Sequence, residues 1–216
     1  AESNSEEGLS LYIHLPFCES MCTFCGCNKR ITKNHNVENP YIEAILKEWA
    51  LYCSILEDKP TIKEIHLGGG TPTFFSTKNL EDLINGIFCY AKKANDHEFS
   101  FEGHPNNTTR AHLQKLYDLG FRRVSFGVQD YSEKNSLQPD RLAFYSYAHV
   151  PWIKGNGQRG FNDEDIPKDE TKRKLYEVGK DLLFENEYYE IGMDHFALKS
   201  DSLYDSFEKG KLHRNF

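Results

Sequence analysis

Segments typical of strands alternate with segments typical of helices along residues 11–129. The predicted strands cover residues 11–17, 62–67, 98–103 and 122–129, and the predicted helices cover residues 40–56, 77–93 and 109–120. A helix between two strands provides the long crossover that parallel neighbours require. The alternation therefore predicts an α/β fold of mostly parallel strands with outer helices, as either an open sheet or a barrel.

Residues suited to chemistry follow each of the four predicted strands. Cysteines come after the first strand and the glycines of "GGGTPT" after the second, while Glu102 ends the third and Gln129 ends the fourth. In parallel α/β folds the carboxyl ends of the strands lie at one edge, where functional groups collect. We therefore expect these four groups to share one rim. Taken alone, "GGGTPT" also fits an ordinary strand-to-helix turn, and Glu102 a solvated carboxylate.

The alternation breaks after Gln129. Only about ten residues separate it from the strand-like segment at 140–150, which is too short for a helical crossover. Either the chain turns antiparallel at this point or a piece is absent. Further along we predict a helix at 168–187, a strand at 188–194 and a short helix at 201–210.

Charge and hydropathy exclude several classes of partner. The net charge of -7 and the pI of about 5.7 argue against a nucleic-acid surface and against docking on an acidic membrane. No apolar run approaches the roughly 18 residues that span a bilayer, so we expect no membrane insertion. The polar start "AESNSEEGLS" lacks the apolar core of a secretory signal. We therefore expect a reducing cytoplasmic environment.

The stretch "CESMCTFCGC", residues 18–27, holds four of the six cysteines. Cys18, Cys22 and Cys25 have the spacing C-x3-C-x2-C, and Cys27 follows two positions later. In a reducing compartment, clustered cysteines usually indicate metal or redox chemistry. Three thiolates on an iron–sulfur cubane would leave one iron open, whereas a structural zinc site commonly uses two cysteine pairs, and no second pair follows. An iron–sulfur cluster is favoured, and a zinc loop and a disulfide or incidental cluster remain as alternatives.

The C-x3-C-x2-C motif directly after a first strand resembles the radical S-adenosylmethionine (SAM) superfamily, and "YIHLPFCESMCTFCGC" is similar to the family of oxygen-independent coproporphyrinogen III oxidases. Further similar segments follow in family order: "GGGTPT" (68–73), "FEGHP" (101–105), "FGVQD" (126–130), "PDRLAFYSYAHVPW" (139–152) and "EIGMDHFA" (190–197). The resemblance covers nearly the whole chain from Leu11. Residues 1–10 are predicted to form a polar tail, and the resemblance implies an incomplete (β/α) barrel domain of the radical SAM type at 11–216.

The resemblance also implies the cofactors and the residues that bind them. Cys18, Cys22 and Cys25 would hold a [4Fe–4S] cluster with SAM at its open iron, and the family's extra cysteine, here Cys27, is not a ligand. The cluster-bound SAM would contact Tyr12, Gly69 and Glu102. A second SAM molecule in the complete enzyme would contact Phe24, Gly70, Thr71, Gln129 and Ala148.

The implied reaction is the oxidative decarboxylation of coproporphyrinogen III to protoporphyrinogen IX in haem biosynthesis. Two propionates become vinyl groups through a 5'-deoxyadenosyl radical, and a one-electron donor is required. The propionates call for cations, for which Lys29, Arg30 and Arg159 are candidates, although solvated surface charge fits each of them as well. His195 is a candidate acid–base group, although a structural histidine is the commoner case. No catalytic residue is assigned, and we expect a monomer.

Two other functions remain open beside this one. A related radical SAM haem-binding chaperone without oxidase activity looks very similar, but that branch usually carries an aromatic where Cys27 stands and lacks "GMDHFA". The other alternative is a zinc-stapled structural domain.

The chain departs from the family pattern in three ways. Family members have a segment before residue 1 and a mostly helical domain after Phe216. They also carry a helix, a strand and another helix between "GVQD" and "PDRL", and this piece supplies an Arg and an Asp to the second SAM. Our hypothesis is that the sequence joins two segments around residues 133–136, with residues omitted between them.

Overall fold

The computed structural model describes residues 8–23, 25–56, 58–127, 139–150, 152, 157–158 and 162–212. The chain divides into two compact units, Ala1–Tyr131 and Ser132–Phe216. Phe24, Gln129, Arg159 and the hypothetical junction at 133–136 lie outside the described residues. The single barrel domain at 11–216 and the omitted segment therefore stay predictions.

The first unit alternates strands and helices, as the sequence predicts. Its elements are β1 (Leu9–Leu15), β2 (Phe17–Cys18), β3 (Arg30–Ile31), α1 (Glu38–Ile55), β4 (Thr61–Gly69), α2 (Thr77–Tyr90), β5 (Lys92–Gly103), α3 (Arg110–Asp118) and β6 (Phe121–Phe126). Four strands form a parallel sheet in the order β1-β4-β5-β6, and β2 pairs in parallel with β3. The α/β class with parallel strands is confirmed, and within the described residues the sheet is open and does not close into a barrel.

One face of this sheet is apolar and covered by helices. Side chains of these strands are fully buried against the helices, among them Leu15, Ile62, Ile65, Leu67 and Phe99. Helix α2 adds residues spaced three and four apart, namely Leu80, Leu83, Ile84 and Ile87. The indole N–H of Trp49 on α1 donates to the carbonyl of Ile87 at 3.1 Å, which joins α1 to α2. Because successive strand side chains alternate between faces, the opposite face of the same strands can carry polar residues.

A buried carboxylate joins the start of α1 to the start of α2. Glu38 is 2% exposed and accepts hydrogen bonds from the Ser76 backbone N–H at 2.8 Å and from the Asn79 amide at 2.7 Å. It also lies 2.7 Å from Nδ1 of His35. Burial alone would raise the pKa of Glu38, but the hydrogen bonds from Asn79, Ser76 and His35 outweigh burial and hold this pKa below its ordinary value. The first unit is therefore stabilised by the ionised form of Glu38.

Replacing Glu38 with glutamine is expected to lower the free energy of unfolding by about 2 kcal/mol near neutral pH, because an amide nitrogen then faces buried donors. The folded-state pKa of Glu38 lies below its unfolded value, so its contribution is present above that unfolded value and is lost as the pH falls through the folded pKa. Denaturant unfolding should show the wild type and Glu38→Gln converging in acid. The matched control is Glu43→Gln, an exposed change on the same helix. A difference that stays constant with pH would contradict this account.

The second unit contains a three-stranded antiparallel sheet in the order β7-β9-β8. Its elements are β7 (Arg141–Ala143), α4 (Asp169–Glu185), β8 (Tyr188–Gly192), β9 (His195–Leu198) and α5 (Ser202–Glu208). The strand predicted at 140–150 is therefore limited to three residues, and β9 was not predicted at all. None of the helices described here combines the length and the apolar character that a bilayer crossing requires.

Candidate functional site

The cysteine loop is anchored at both ends to the carboxyl edge of the sheet. Chain segment β2 follows β1 directly and ends at Cys18, and β3 brings the chain back beside it, with Phe17 opposite Arg30 and Cys18 opposite Ile31. The Arg30 N–H donates to the Pro16 carbonyl at 2.8 Å, and the Thr32 N–H donates to the Cys18 carbonyl at 2.9 Å. The two ends of the segment that carries the other three clustered cysteines are thus held beside each other.

The four thiols of this loop have different environments. Cys18 is half-buried, which raises the pKa of its thiol, and its Sγ lies 3.3 Å from Oγ1 of Thr71. Cys22 is exposed, and its carbonyl accepts from the N–H of Cys25 at 3.1 Å. A hydrogen bond with Cys27 lowers the pKa of Cys25 to about 5, and the same bond raises the pKa of Cys27. None of the six cysteines, all of which are described, forms a disulfide.

The donor chemistry of the loop fits an iron–sulfur cluster. Cys18, Cys22 and Cys25 supply three thiols from one short loop, and thiolates are the ligands that such clusters use. Within the described ranges no three His, Cys, Asp or Glu side chains are gathered in positions to hold a metal ion. The structure thus places the three thiols on the same anchored loop without assembling them into a coordination sphere.

The glycine loop lies directly against the base of the cysteine loop. The Gly70 N–H donates to the Leu15 carbonyl at 2.9 Å, and the Thr71 N–H donates to the Phe17 carbonyl at 3.0 Å. A Cβ on Gly70 would lie 2.5 Å from the Pro16 carbonyl oxygen and 3.0 Å from Cys18 Sγ. This approach requires glycine, which explains why the motif follows β4 here.

Glu102 lies at the end of β5, next to the glycine loop. Its Oε2 accepts from the Gly69 N–H at 3.0 Å, and its Oε1 lies 3.4 Å from Nε2 of His66. The hydrogen bond from His66 is the largest cause that lowers the pKa of Glu102, and burial opposes this effect. Gly69 itself has φ +118, and a Cβ there would lie 2.7 Å from the His14 ring. The cysteines, the glycines and Glu102 therefore share one rim, as predicted, while Gln129 lies outside the described residues.

Tyr12 completes this group from β1. Its side chain is 59% exposed, its hydroxyl lies 3.1 Å from Nδ1 of His14, and its ring stacks on that of His66 with centroids 5.8 Å apart. Burial and the negative charge of Glu102 raise the pKa of Tyr12. The structure thus brings Tyr12, Gly69 and Glu102 together.

Other predicted residues lie elsewhere or contact different groups. Ala148 belongs to the second unit, where its carbonyl accepts from the Gln158 amide at 3.1 Å. His195 begins β9, with Nδ1 2.7 Å from the carbonyl of Met193. The ammonium of Lys29 donates to the Cys27 carbonyl at 3.2 Å, and Arg30 is exposed on β3. These contacts do not assign Lys29 or Arg30 to a substrate carboxylate.

Sequence reasoning missed His14 and His66. Tyr12 pairs with His66 across β1 and β4, and His66 pairs with Ser100 across β4 and β5. These residues and Glu102 lie on the polar face of the sheet, opposite the apolar core. The signal was the alternation in "YIHL", "EIHL" and "FSFE", where every second residue is polar.

Comparison with known proteins found a matching family model and similar proteins. A family model described as the Radical SAM superfamily matches residues 12–151. The oxygen-independent coproporphyrinogen III oxidase of Helicobacter pylori strain J99 is 33% identical over 261 aligned positions, which cover 96% of this chain and 57% of that protein. The Escherichia coli K12 protein of the same name is 29% identical, with 98% of this chain and 57% of that protein covered.

A solved structure supports the same relationship. Coproporphyrinogen III oxidase (HemN) from Escherichia coli, reported as a radical SAM enzyme, matches with a TM-score of 0.87 and 28% identity, covering 96% of this chain and 59% of that chain. The chain thus spans somewhat more than half the length of the relatives it matches. The Helicobacter alignment has 261 positions and this chain has 216 residues, so that relative carries residues within the matched stretch that this chain lacks.

Proposed function

This chain belongs to the radical SAM superfamily, and we propose that it forms the cofactor-binding part of an oxygen-independent coproporphyrinogen III oxidase. The reaction would convert coproporphyrinogen III to protoporphyrinogen IX by oxidative decarboxylation of two propionates. The observation that carries the proposal is the meeting of Cys18, the glycine loop and Glu102 at one sheet edge. That edge belongs to a chain whose matched relatives carry this enzyme's name.

Radical SAM proteins as a family use a [4Fe–4S] cluster and SAM. In this proposal Cys18, Cys22 and Cys25 hold the cluster, and Cys27 does not. When bound, the cluster and SAM together supply the one-electron chemistry that removes a hydrogen atom from the substrate. The chain's own residues hold and orient these groups.

Each of these residues has a contact that suits its proposed role. The Thr71 hydroxyl can donate to the sulfur of Cys18, which favours the thiolate that a metal requires. Gly69 and Gly70 let the backbone come close to the cofactor. Glu102 is ionised and keeps lone pairs beyond those used by Gly69 and His66, so it can accept from an ammonium or hydroxyl group of SAM.

The remaining details of the proposal rest on the family resemblance. A second SAM would contact Phe24, Gly70, Thr71, Gln129 and Ala148. A one-electron donor would reduce the cluster, and the protein would act as a monomer in the cytoplasm. The tetrapyrrole would enter at the same edge of the sheet.

Anaerobic conversion of coproporphyrinogen III tests the proposal. The protein is reconstituted with iron and sulfide and is given coproporphyrinogen III, SAM and a one-electron reductant. Mass spectrometry of the oxidised tetrapyrroles should then show the loss of two carboxyl groups, only when SAM is present. Haem binding without conversion would instead identify the chaperone alternative. A colourless protein that holds zinc would identify the structural alternative.

A further inference from the structure

His66 connects two of the residues that we assign to SAM. It lies on the polar face of β4, and the strand register places it between Tyr12 on β1 and Ser100 on β5. Its Nδ1 is 2.8 Å from Ser100 Oγ and its Nε2 is 3.4 Å from Glu102 Oε1. Its ring stacks on Tyr12 with an interplanar angle of 21°. Both nitrogens and one ring face are therefore in use.

The partners of His66 define its tautomer. An ionised carboxylate can only accept hydrogen bonds, so Nε2 carries a hydrogen and donates a hydrogen bond to Glu102. In the neutral imidazole the other nitrogen, Nδ1, is then an acceptor, to which the hydroxyl of Ser100 can donate. Ser100 thus orients the imidazole, and the imidazole orients the carboxylate.

Glu102 is in this way held at both oxygens. His66 donates to Oε1 and the Gly69 backbone donates to Oε2 at 3.0 Å. Each oxygen keeps a lone pair that points away from these partners. The other titratable groups that act on this carboxylate site are His14 and Tyr12 on β1 and Cys27 in the cysteine loop. Of these described groups, His66 is the one whose side chain hydrogen-bonds to the carboxylate.

We propose that His66 is a positioning residue for SAM. It fixes the Glu102 carboxylate in the orientation that accepts from SAM, and it supports the ring of Tyr12 by stacking against it. The inference rests on the proposed function, in which Glu102 and Tyr12 contact the cluster-bound SAM. It adds His66, which acts through Glu102 and Tyr12, and Ser100, which acts through His66.

The test is the affinity of the reconstituted protein for SAM, measured by anaerobic equilibrium dialysis with labelled SAM. His66→Phe keeps a ring to stack on Tyr12 but removes both nitrogens, and it should weaken binding about tenfold, as expected for one lost hydrogen bond to a charged group. His66→Gln gives up the stacking on Tyr12 but restores a side-chain N–H donor to Glu102, so it should still bind within about threefold of the wild type. Ser100→Ala frees the imidazole to rotate and should weaken binding about threefold.

Two controls separate this role from other effects. His97→Phe changes a histidine in the middle of β5, five residues before Glu102, where Nδ1 lies 3.0 Å from the Ala94 carbonyl, and SAM affinity should not change. Iron content should be equal in all variants, which shows that the cluster is intact. Should His66→Phe lose its cluster, Ser100→Ala carries the test, because it removes only a hydroxyl.

The outcomes distinguish this inference from the proposed function. If Glu102→Ala weakens SAM binding while His66→Phe and Ser100→Ala bind normally, the positioning role is overturned and the SAM site stands. If Glu102→Ala binds SAM as well as the wild type does, the SAM site assigned in the proposed function is itself refuted. If His66→Phe weakens SAM binding and His66→Gln does not, the positioning role is supported, because an amide donor would not rescue a loss of packing.

Discussion

Replacing Cys18, Cys22 or Cys25 with serine is expected to abolish cluster binding, whereas replacing Cys27 should leave the cluster in place. A serine hydroxyl is a poor substitute for a soft thiolate, and two remaining thiolates cannot hold a cubane that normally has four ligands. Anaerobic reconstitution followed by iron and sulfide analysis should give about four iron atoms per wild-type chain and fewer than about one for each of the three variants. The broad visible absorbance of the protein should disappear with them.

Two further variants sharpen the cysteine experiment. Cys89→Ser changes an exposed cysteine on α2, outside the loop, and should keep the full iron content. Cys27→Ser replaces the thiol that hydrogen-bonds to Cys25 with a hydroxyl and should also keep its iron. If Cys27→Ser loses the cluster as completely as Cys18→Ser does, then four thiolates close the site and no iron is open to SAM. Full iron content in Cys22→Ser would contradict the three-cysteine assignment.

Gly70→Ala should both destabilise the first unit and impair cluster binding. The new Cβ would lie 2.5 Å from the Pro16 carbonyl oxygen, and that carbonyl is held in place by the Arg30 N–H at 2.8 Å. Gly70 itself is fixed by its bond to Leu15, so the clash is with a backbone that no side-chain rotation can relieve. We expect a loss of about 3 kcal/mol in the free energy of unfolding, at the upper end for overpacking, and less than half of the normal iron content.

The control for this variant is Gly210→Ala. Gly210 follows α5 with φ +62, and among the described residues no atom beyond its chain neighbours lies within 4 Å of the position that a Cβ would take. Alanine there therefore meets only backbone strain of about 1 kcal/mol. Denaturant unfolding of the iron-free proteins and iron analysis after reconstitution measure the two effects separately. Wild-type stability together with full iron content in Gly70→Ala would show that the glycine loop and the cysteine loop do not depend on this close contact.

Much of the first unit could be predicted from the sequence because its signals are local. Strand β4 ends in glycines, which favour a turn after it, and helices such as α2 show apolar residues at helical spacing. The same reasoning placed the cysteines, the glycines and Glu102 on one rim. The rule that parallel strands end at a common edge needs only the order of the elements and no knowledge of contacts.

The network around His66 could not be predicted in the same way. It depends on which residues of β1, β4 and β5 lie opposite one another, and a shift of one residue would send His66 to the apolar face. That register is set by packing over distant parts of the chain. Polar alternation indicates which side chains share a face of the sheet, but it does not indicate which of them lie opposite one another.

Strand β9 was missed for a different reason. It pairs with β8 through a tight turn in which Met193 and Asp194 both have positive φ, the geometry of a type I′ hairpin. Such turns usually contain Asn or Gly, and methionine gives no turn signal. The sequence therefore gives no signal that a new strand begins at residue 195, although "HFAL" has the composition of a strand.

The most direct test of the central claim is the electron paramagnetic resonance spectrum of the reduced, reconstituted protein with and without SAM. The claim is that Cys18, Cys22 and Cys25 hold a cluster with one iron open to SAM beside Glu102. It predicts the signal of a reduced [4Fe–4S] cluster whose g values shift when SAM is added. A cluster signal that is identical with and without saturating SAM, or a protein that holds zinc and gives no signal, would contradict it.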